Sequence, residues 1–119
     1  MIDKSFAEYF AAEWIAAWNS RNLDRVLAHY TDDFEFSSPF IVKVVGEPSN
    51  ILCGKQTVGT YWATALAGHP NPVFTLDAAH WGVKSIVPHY HRNDERIASE
   101  WFEFSPDGKV VRSSAHYAG

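Results

Sequence analysis

The sequence predicts one α+β domain, with helices first along the chain and strands after them. In the N-terminal part, apolar residues recur every three or four positions, which is the spacing of an amphipathic helix. In the C-terminal half, apolar and polar residues alternate instead, as they do in half-buried strands. The length of 119 residues is close to the commonest domain size, so residues 1–119 are expected to share one core.

Two helices are predicted at the N-terminal end. The first spans residues 5–19, where Ser5 and Glu8 form a capping-box pattern and aromatic residues follow at helical spacing. Residues 19–22, NSRN, interrupt this pattern, and a shorter helix is expected over residues 23–30.

The middle of the chain is predicted to change from helix to strand and back. Residues 34–38 alternate like a strand, which Pro39 ends. Residues 40–54 are compatible with either a strand or an extended loop, since glycine and proline interrupt them. A third helix is expected over residues 55–67, with Gly68 just after its last turn.

The rest of the chain is predicted to form antiparallel strands with turns at residues 92–95 and 106–108. The second turn contains Pro-Asp-Gly, which is a strong turn signal. The strands are expected at residues 73–82, 84–91, 96–105 and 109–117.

Glu100 is the strongest catalytic candidate in these strands. In the stretch IASEWFEF, it shares one face with Phe102 and Phe104, a face that otherwise has the character of a core. Loss of water around a carboxyl group raises its pKa, so Glu100 could hold and donate a proton near neutral pH. The alternative is a structural glutamate whose hydrogen bonds are satisfied by a buried water or a neighbouring hydroxyl.

Composition argues against several classes of function. The formal net charge of −4 disfavours binding to nucleic acid or to an anionic membrane surface. No apolar run reaches the roughly 20 residues that span a bilayer, and the N-terminal residues lack the apolar segment of a signal peptide. Cys53 is the only cysteine, so no internal disulfide can form and a cytoplasmic location is expected.

Three segments, residues 14–39, 54–66 and 107–117, carry a family resemblance. The chain resembles the nuclear transport factor 2-like superfamily, and within it the SnoaL-like and ketosteroid-isomerase-like group. The resemblance implies a cone, in which a curved antiparallel sheet wraps around the N-terminal helices and leaves an internal pocket. It also implies a homodimer formed through the outer face of the sheet. Members include isomerases, cyclases and dehydratases as well as non-catalytic binders, so the fold alone does not define the reaction.

At the positions of the functional residues of the ketosteroid isomerases, this chain has replaced two residues and kept one acidic residue. Ser38 stands where that group has its general-base aspartate, before the proline that ends the first strand. Trp14 stands where the group has an oxyanion-binding tyrosine, and its indole N–H could still donate. Glu100 aligns with the second oxyanion donor, so one acidic group is kept while the usual base is missing.

The position of His89 depends on the length of the turn at residues 92–95. A loop with an even number of residues would pair His89 with Ala98 and place His89 diagonally beside Glu100, where the two side chains could exchange a proton. A loop with an odd number of residues would turn His89 to the opposite face of the sheet, away from Glu100. The His-x-His spacing with Glu100 also fits metal ligation, but six histidines make such spacing common, and no metal or other cofactor is expected.

These observations favour a cofactor-independent enzyme that performs acid–base chemistry of the isomerase, cyclase or dehydratase type. Its substrate would be a small, hydrophobic, neutral molecule with an oxygen atom, and the alternative is a non-catalytic domain that binds such a ligand. Glu100 and His89 are the predicted catalytic residues. The residues expected to bind substrate are Trp14, Trp18, Phe36, Ser38, Tyr61, Trp62, Phe102, Ser113 and Tyr117.

Overall fold

A computed structural model describes residues 2–69 and 71–118 of the chain. Its elements follow the predicted order of helices and strands, and its strands form one curved sheet in the order β2-β1-β6-β5-β4-β3. All strand pairs are antiparallel except β1 with β6. The predicted α+β class is therefore confirmed. The elements are α1 (Lys4–Ser20), α2 (Leu23–Leu27), β1 (Tyr30–Ser37), α3 (Ile41–Val45), β2 (Ile51–Cys53), α4 (Lys55–Ala67), β3 (Phe74–Trp81), β4 (Ser85–Arg92), β5 (Ile97–Phe104) and β6 (Val110–Ala118).

Helix α1 begins directly after Asp3, which caps it in place of the predicted Ser5. The Oδ1 atom of Asp3 accepts a hydrogen bond from the Phe6 backbone N–H at 2.8 Å, while Asp3 itself keeps an extended backbone. Ser5 lies inside the first turn, so the predicted serine cap is wrong. The helix ends where Arg21 adopts a left-handed conformation with φ 58°.

Strand β1 starts earlier than the sequence pattern predicts, and helix α2 is correspondingly shorter. The parallel pairing with β6 reaches back to Tyr30, which lies opposite Val110. The Val110 N–H donates to the carbonyl of His29 at 2.9 Å. A long-range strand partner thus determines the conformation of residues that local spacing assigned to a helix.

The undecided segment, residues 40–54, contains both helix and strand. Its first part forms α3, which ends at Gly46 with φ 80°. Its last part forms β2, which pairs with β1 at the edge of the sheet. Helix α4 follows at once and has the bounds that the sequence predicts.

The core lies between α1 and the concave face of the sheet. Phe102 of β5 is completely buried, and its ring centroid lies 5.0 Å from that of Phe10 and 5.1 Å from that of Trp14. These ring pairs meet edge to face, an arrangement favoured by the charge distribution of aromatic rings. The aromatic helix is thereby held against the middle of the sheet.

The β4–β5 hairpin has a three-residue loop, and this decides which residues face inward. The Arg92 N–H donates to the Arg96 carbonyl at 2.9 Å, and Glu95 has φ 69°, as in a type I turn followed by a left-handed residue. The loop is therefore odd, and His89 lies opposite Ser99 and not opposite Ala98. Of the two registers that the sequence left open, the structure has the one in which His89 does not lie beside Glu100, because one additional residue in the loop reverses the face of every side chain of β4.

Candidate functional site

A cavity of about 130 Å³ opens between α1, α4 and the concave face of the sheet. Its volume is close to the roughly 150 Å³ of an engineered protein cavity that holds benzene, so the enclosed part has room for about one ring. Aromatic side chains supply most of its wall: Trp14, Trp18, Phe36, Tyr61, Trp62, Phe74, Tyr90 and Tyr117.

Glu100 is the only carboxylate among the residues that line this cavity. It lies in the middle of β5 on the concave face, where only 4% of its surface is exposed. Burial raises the pKa of Glu100 to about 8, because the ionised form loses its hydration. No group among residues 2–69 and 71–118 hydrogen-bonds to its carboxyl. At neutral pH the cavity therefore contains a protonated carboxyl group with its hydrogen-bonding capacity free.

Trp14 lines the cavity with its ring, but its N–H is occupied elsewhere. The Trp14 Nε1 atom donates to the Tyr30 hydroxyl at 3.1 Å in the core. Burial raises the pKa of Tyr30 well above its usual value, so this hydroxyl stays protonated. Trp14 therefore does not offer the free donor that the sequence comparison suggested. Tyr30 had no signal in the sequence, because its partner lies 16 residues away.

Trp18 provides a free indole N–H in this region. Its Nε1 atom is buried and has no hydrogen-bond partner within the described part of the chain. The Trp18 ring lines the cavity and meets Trp62 at a centroid distance of 5.0 Å. A buried donor without a partner is costly, and this nitrogen has almost no accessible surface, so the ring and not the N–H faces the cavity.

The hydroxyl groups of two tyrosines and one serine lie together on one side of the cavity. Tyr61 and Tyr117 line it, whereas Ser38 is buried behind them and accepts a hydrogen bond from the Phe40 N–H. Burial raises the pKa of Tyr61, and it raises that of Tyr117 to about 12, while the Ser38 side chain acts more weakly in the opposite direction. Both tyrosines are thus neutral hydrogen-bond donors at physiological pH.

Three of the predicted substrate-binding residues do not line the cavity: Ser38 lies behind the two tyrosines, and Phe102 and Ser113 lie in the core. Phe102 is enclosed by rings beneath α1, as described above. Ser113 of β6 lies opposite Phe102 and is 1% exposed, and its hydroxyl has no partner among the described residues. Phe102 and Ser113 both face inward as predicted, but neither is among the residues that line the cavity.

The mouth of the cavity is basic, which the sequence analysis missed. Arg92 and Arg96 line it together with His69, and Tyr117 there is 39% exposed. The two arginines follow Tyr90 and Ala98 in the inward-facing rows of β4 and β5. The face of Arg92 follows only from the hairpin register, because the alternative register would turn it outward, whereas Arg96 shares the face of Ala98 and Glu100 in either register.

His89 belongs to a separate cluster on the outer face of the sheet. Its Nδ1 atom lies 2.6 Å from the Ser99 hydroxyl, and its Nε2 atom lies 3.2 Å from Nδ1 of His80. The neighbouring His91 contacts Asp77 at 2.9 Å, which raises the pKa of His91. Among the residues that the structure describes, no three His, Cys, Asp or Glu side chains are grouped closely enough to hold a metal ion.

The class of the chain follows from this fold and from its sequence. The sequence model of the SnoaL-like domain matches residues 11–116. The chain therefore belongs to the SnoaL-like domain family of the nuclear transport factor 2-like superfamily. No helix in residues 2–69 and 71–118 has the length and apolar character needed to cross a bilayer.

Solved structures of similar proteins support this assignment. A SnoaL-like protein of unknown function from Burkholderia thailandensis is 48% identical, with all of both chains covered and a TM-score of 0.93. A proposed isomerase of the SnoaL-like family from Agrobacterium tumefaciens is 14% identical over 97% of this chain and 99% of the other, with a TM-score of 0.77. AclR, a proposed hydroxylase from Streptomyces galilaeus, is 15% identical over 98% and 91%, with a TM-score of 0.73. The last two likenesses show the fold alone. Among curated proteins there is no match.

Proposed function

We propose that the cavity binds a small hydrophobic molecule with a carbonyl or hydroxyl oxygen, and that Glu100 gives this oxygen a proton. The observation that carries the proposal is a buried carboxyl group, neutral at pH 7, that no described residue hydrogen-bonds. Such a group is poised as a general acid, since its pKa lies near the working pH. The reaction is of the isomerase, cyclase or dehydratase type, and its family contains proposed isomerases.

One carboxyl group is sufficient for this chemistry. In a dehydration, the Glu100 proton moves to the leaving hydroxyl and the C–O bond breaks to release water. The resulting carboxylate takes a proton from the adjacent carbon, whose C–H electron pair forms the double bond. Glu100 ends protonated, so no second carboxylate is needed, which accounts for Ser38 at the position of the usual base. The hydroxyl of Tyr61 would hold the substrate oxygen.

The proposal is tested with Glu100→Gln and a panel of small β-hydroxy ketones, whose dehydration to conjugated enones is followed by ultraviolet absorbance. Loss of the general acid is expected to reduce turnover by about 10²–10⁴-fold. The matched control is Glu103→Gln, a carboxylate on the outer face of the same strand, bound by Lys84 and Arg112. Turnover that survives in Glu100→Gln at the wild-type rate would refute the catalytic role.

A non-catalytic ligand-binding domain is the second candidate. It is favoured by one observation, namely Ser38 at the place where related isomerases carry a base. This candidate predicts ligand binding by the wild type with no turnover of any panel member. It also predicts that Glu100→Gln changes only affinity.

We extend the proposal to a homodimer through the outer face of the sheet and to a cytoplasmic location. Ile97 on this face is 56% exposed, an apolar surface that a second copy of the chain would cover. Ile97→Arg should convert a dimer into a monomer in analytical ultracentrifugation, and a monomeric wild type would refute the dimer. The free thiol of Cys53 suits a reducing compartment, which cell fractionation can test.

A further inference from the structure

We propose that the ligand carries a carboxylate at the mouth of the cavity, bound by Arg92 and Arg96, in addition to the oxygen that faces Glu100. This revises the neutral ligand expected from the sequence. This proposal rests on the proposed function only in its account of the end of the ligand that faces Glu100. The class of ligand is a small oxo- or hydroxycarboxylic acid with a ring-sized apolar body.

The hairpin geometry places both arginines on the concave side. Arg92 and Arg96 form the last backbone-paired position before the loop, joined by a hydrogen bond of 2.9 Å. Along their strands they are the next inward positions after Tyr90 and Ala98. Two guanidinium groups are therefore set beside each other at the open end of an otherwise apolar cavity.

Arg92 is held in position by Asp94 with part of its hydrogen-bonding edge free. Its Nε atom donates to Asp94 Oδ1 at 3.1 Å, and its Nη2 atom donates to Oδ2. The Nη1 atom has no partner among the described residues. Only 19% of the Arg92 side chain is exposed, so its orientation is restricted. A ligand carboxylate would meet a guanidinium that is already oriented.

Arg96 lies against two aromatic rings and has no carboxylate within 4 Å in the described part of the chain. Its guanidinium carbon is 5.2 Å from the centre of the Phe40 ring and 5.7 Å from that of Tyr117. Lys43 adds a third positive charge, 5.6 Å from the same Phe40 ring. The rings fix the guanidinium but do not neutralise it, so its charge remains available to an anion.

The charges at the mouth do not cancel. Asp94 pairs with Arg92, and no described carboxylate lies within salt-bridge distance of Arg96. Inside the cavity, Glu100 is neutral at pH 7 and does not repel an anion. The mouth therefore has an excess positive charge with an apolar wall behind it, and this arrangement strengthens electrostatic attraction.

The distance between Arg96 at the mouth and Glu100 inside the cavity sets the size of the ligand. Arg96 and Glu100 are four residues apart on one strand, which separates their Cα atoms by roughly 13 Å at ~3.3 Å per residue. Both side chains reach into this gap, and the enclosed volume of about 130 Å³ takes one ring. A ring with a carboxylate at one end and a carbonyl or hydroxyl oxygen at the other spans it.

The test compares 4-acetylbenzoate with its neutral counterpart 4-acetylbenzamide by isothermal titration calorimetry at pH 7. The wild type should bind the carboxylate at least about tenfold more tightly than the amide. Arg96→Gln should weaken carboxylate binding by about tenfold while changing amide binding by less than about twofold. The control is Arg112→Gln, which removes a positive charge from the outer face and should leave both affinities unchanged.

A salt titration of the wild type tests the same point without any variant. Raising the ionic strength from about 0.05 M to about 0.5 M should weaken binding of the carboxylate and not of the amide. Equal affinity for both probes, or no saturable binding of 4-acetylbenzoate at millimolar concentration, would overturn the inference. Its failure is distinct from failure of the proposed function, since Glu100→Gln tests turnover whereas these measurements test only binding at the mouth.

Discussion

Glu100→Gln should stabilise the protein at neutral and alkaline pH, although it removes a proposed catalytic group. The side chains have nearly the same shape, and both are neutral at low pH, so the two proteins should be about equally stable near pH 4. Burial raises the folded-state pKa of Glu100 from the usual 4.5 to about 8. Between these values the folded protein retains a proton that the unfolded chain has lost. The wild type is therefore most stable below pH 4.5 and loses stability as the pH rises through 8.

The magnitude follows from the same two values. Each pH unit between them is equivalent to about 1.4 kcal/mol. The wild type should lose about 3 kcal/mol by pH 7 and about 5 kcal/mol by pH 9 relative to the glutamine variant. These are upper figures, since side-chain relaxation or water entry would reduce them.

Urea unfolding at pH 4, 7 and 9, followed by tryptophan fluorescence, measures the difference in the free energy of unfolding. The difference between wild type and variant isolates Glu100, because the other ionisable groups facing the cavity, His69, Arg92 and Arg96, are the same in both proteins. Glu103→Gln is the control and should destabilise, since it removes the partner of Lys84. A difference between wild type and Glu100→Gln that does not change with pH would refute the raised pKa and the buried acid on which it rests.

Three further outcomes are expected. If Glu100 acts as a general acid, turnover should fall as the pH rises through about 8, and a rate that instead rises across this range would contradict the assignment. Tyr30→Phe removes the acceptor of the buried Trp14 N–H and should cost about 1–3 kcal/mol in urea unfolding, so an unchanged midpoint would show that the bond is unimportant. Phe102→Ala should cost about 3–5 kcal/mol by the same measurement, because the ring is fully enclosed, and a cost below about 1 kcal/mol would mean that the core can collapse around the gap.

The orientation of Glu100 could be predicted because it depends only on local alternation. Strand β5 keeps an unbroken period of two from Ile97 to Phe104, with Ala98, Glu100 and Phe102 all buried. Any register with the neighbouring strands leaves these residues on the same face, and the apolar face must turn to the core. The family resemblance placed Ser113 inward as well, but it did not show that Ser113 is absent from the cavity wall.

The residues that were misplaced or missed all depend on a partner distant in sequence. His89 and Arg92 take their faces from the number of residues in the β4–β5 loop, and no pattern within either strand specifies this number. The early start of β1 depends on pairing with β6. The occupied N–H of Trp14 depends on Tyr30, which reaches it only after the sheet closes over α1.

By itself, the sequence determined that this chain forms an α+β domain with an aromatic core and one acidic residue facing inward. Hydrophobic periodicity is sufficient for this, because burial of apolar surface selects the inward face of each element separately. Only the tertiary structure decided which inward residues reach the cavity, which donors are free, and that the mouth is basic. These features depend on strand register and on contacts between distant elements, where a shift of one residue changes the face of a whole strand.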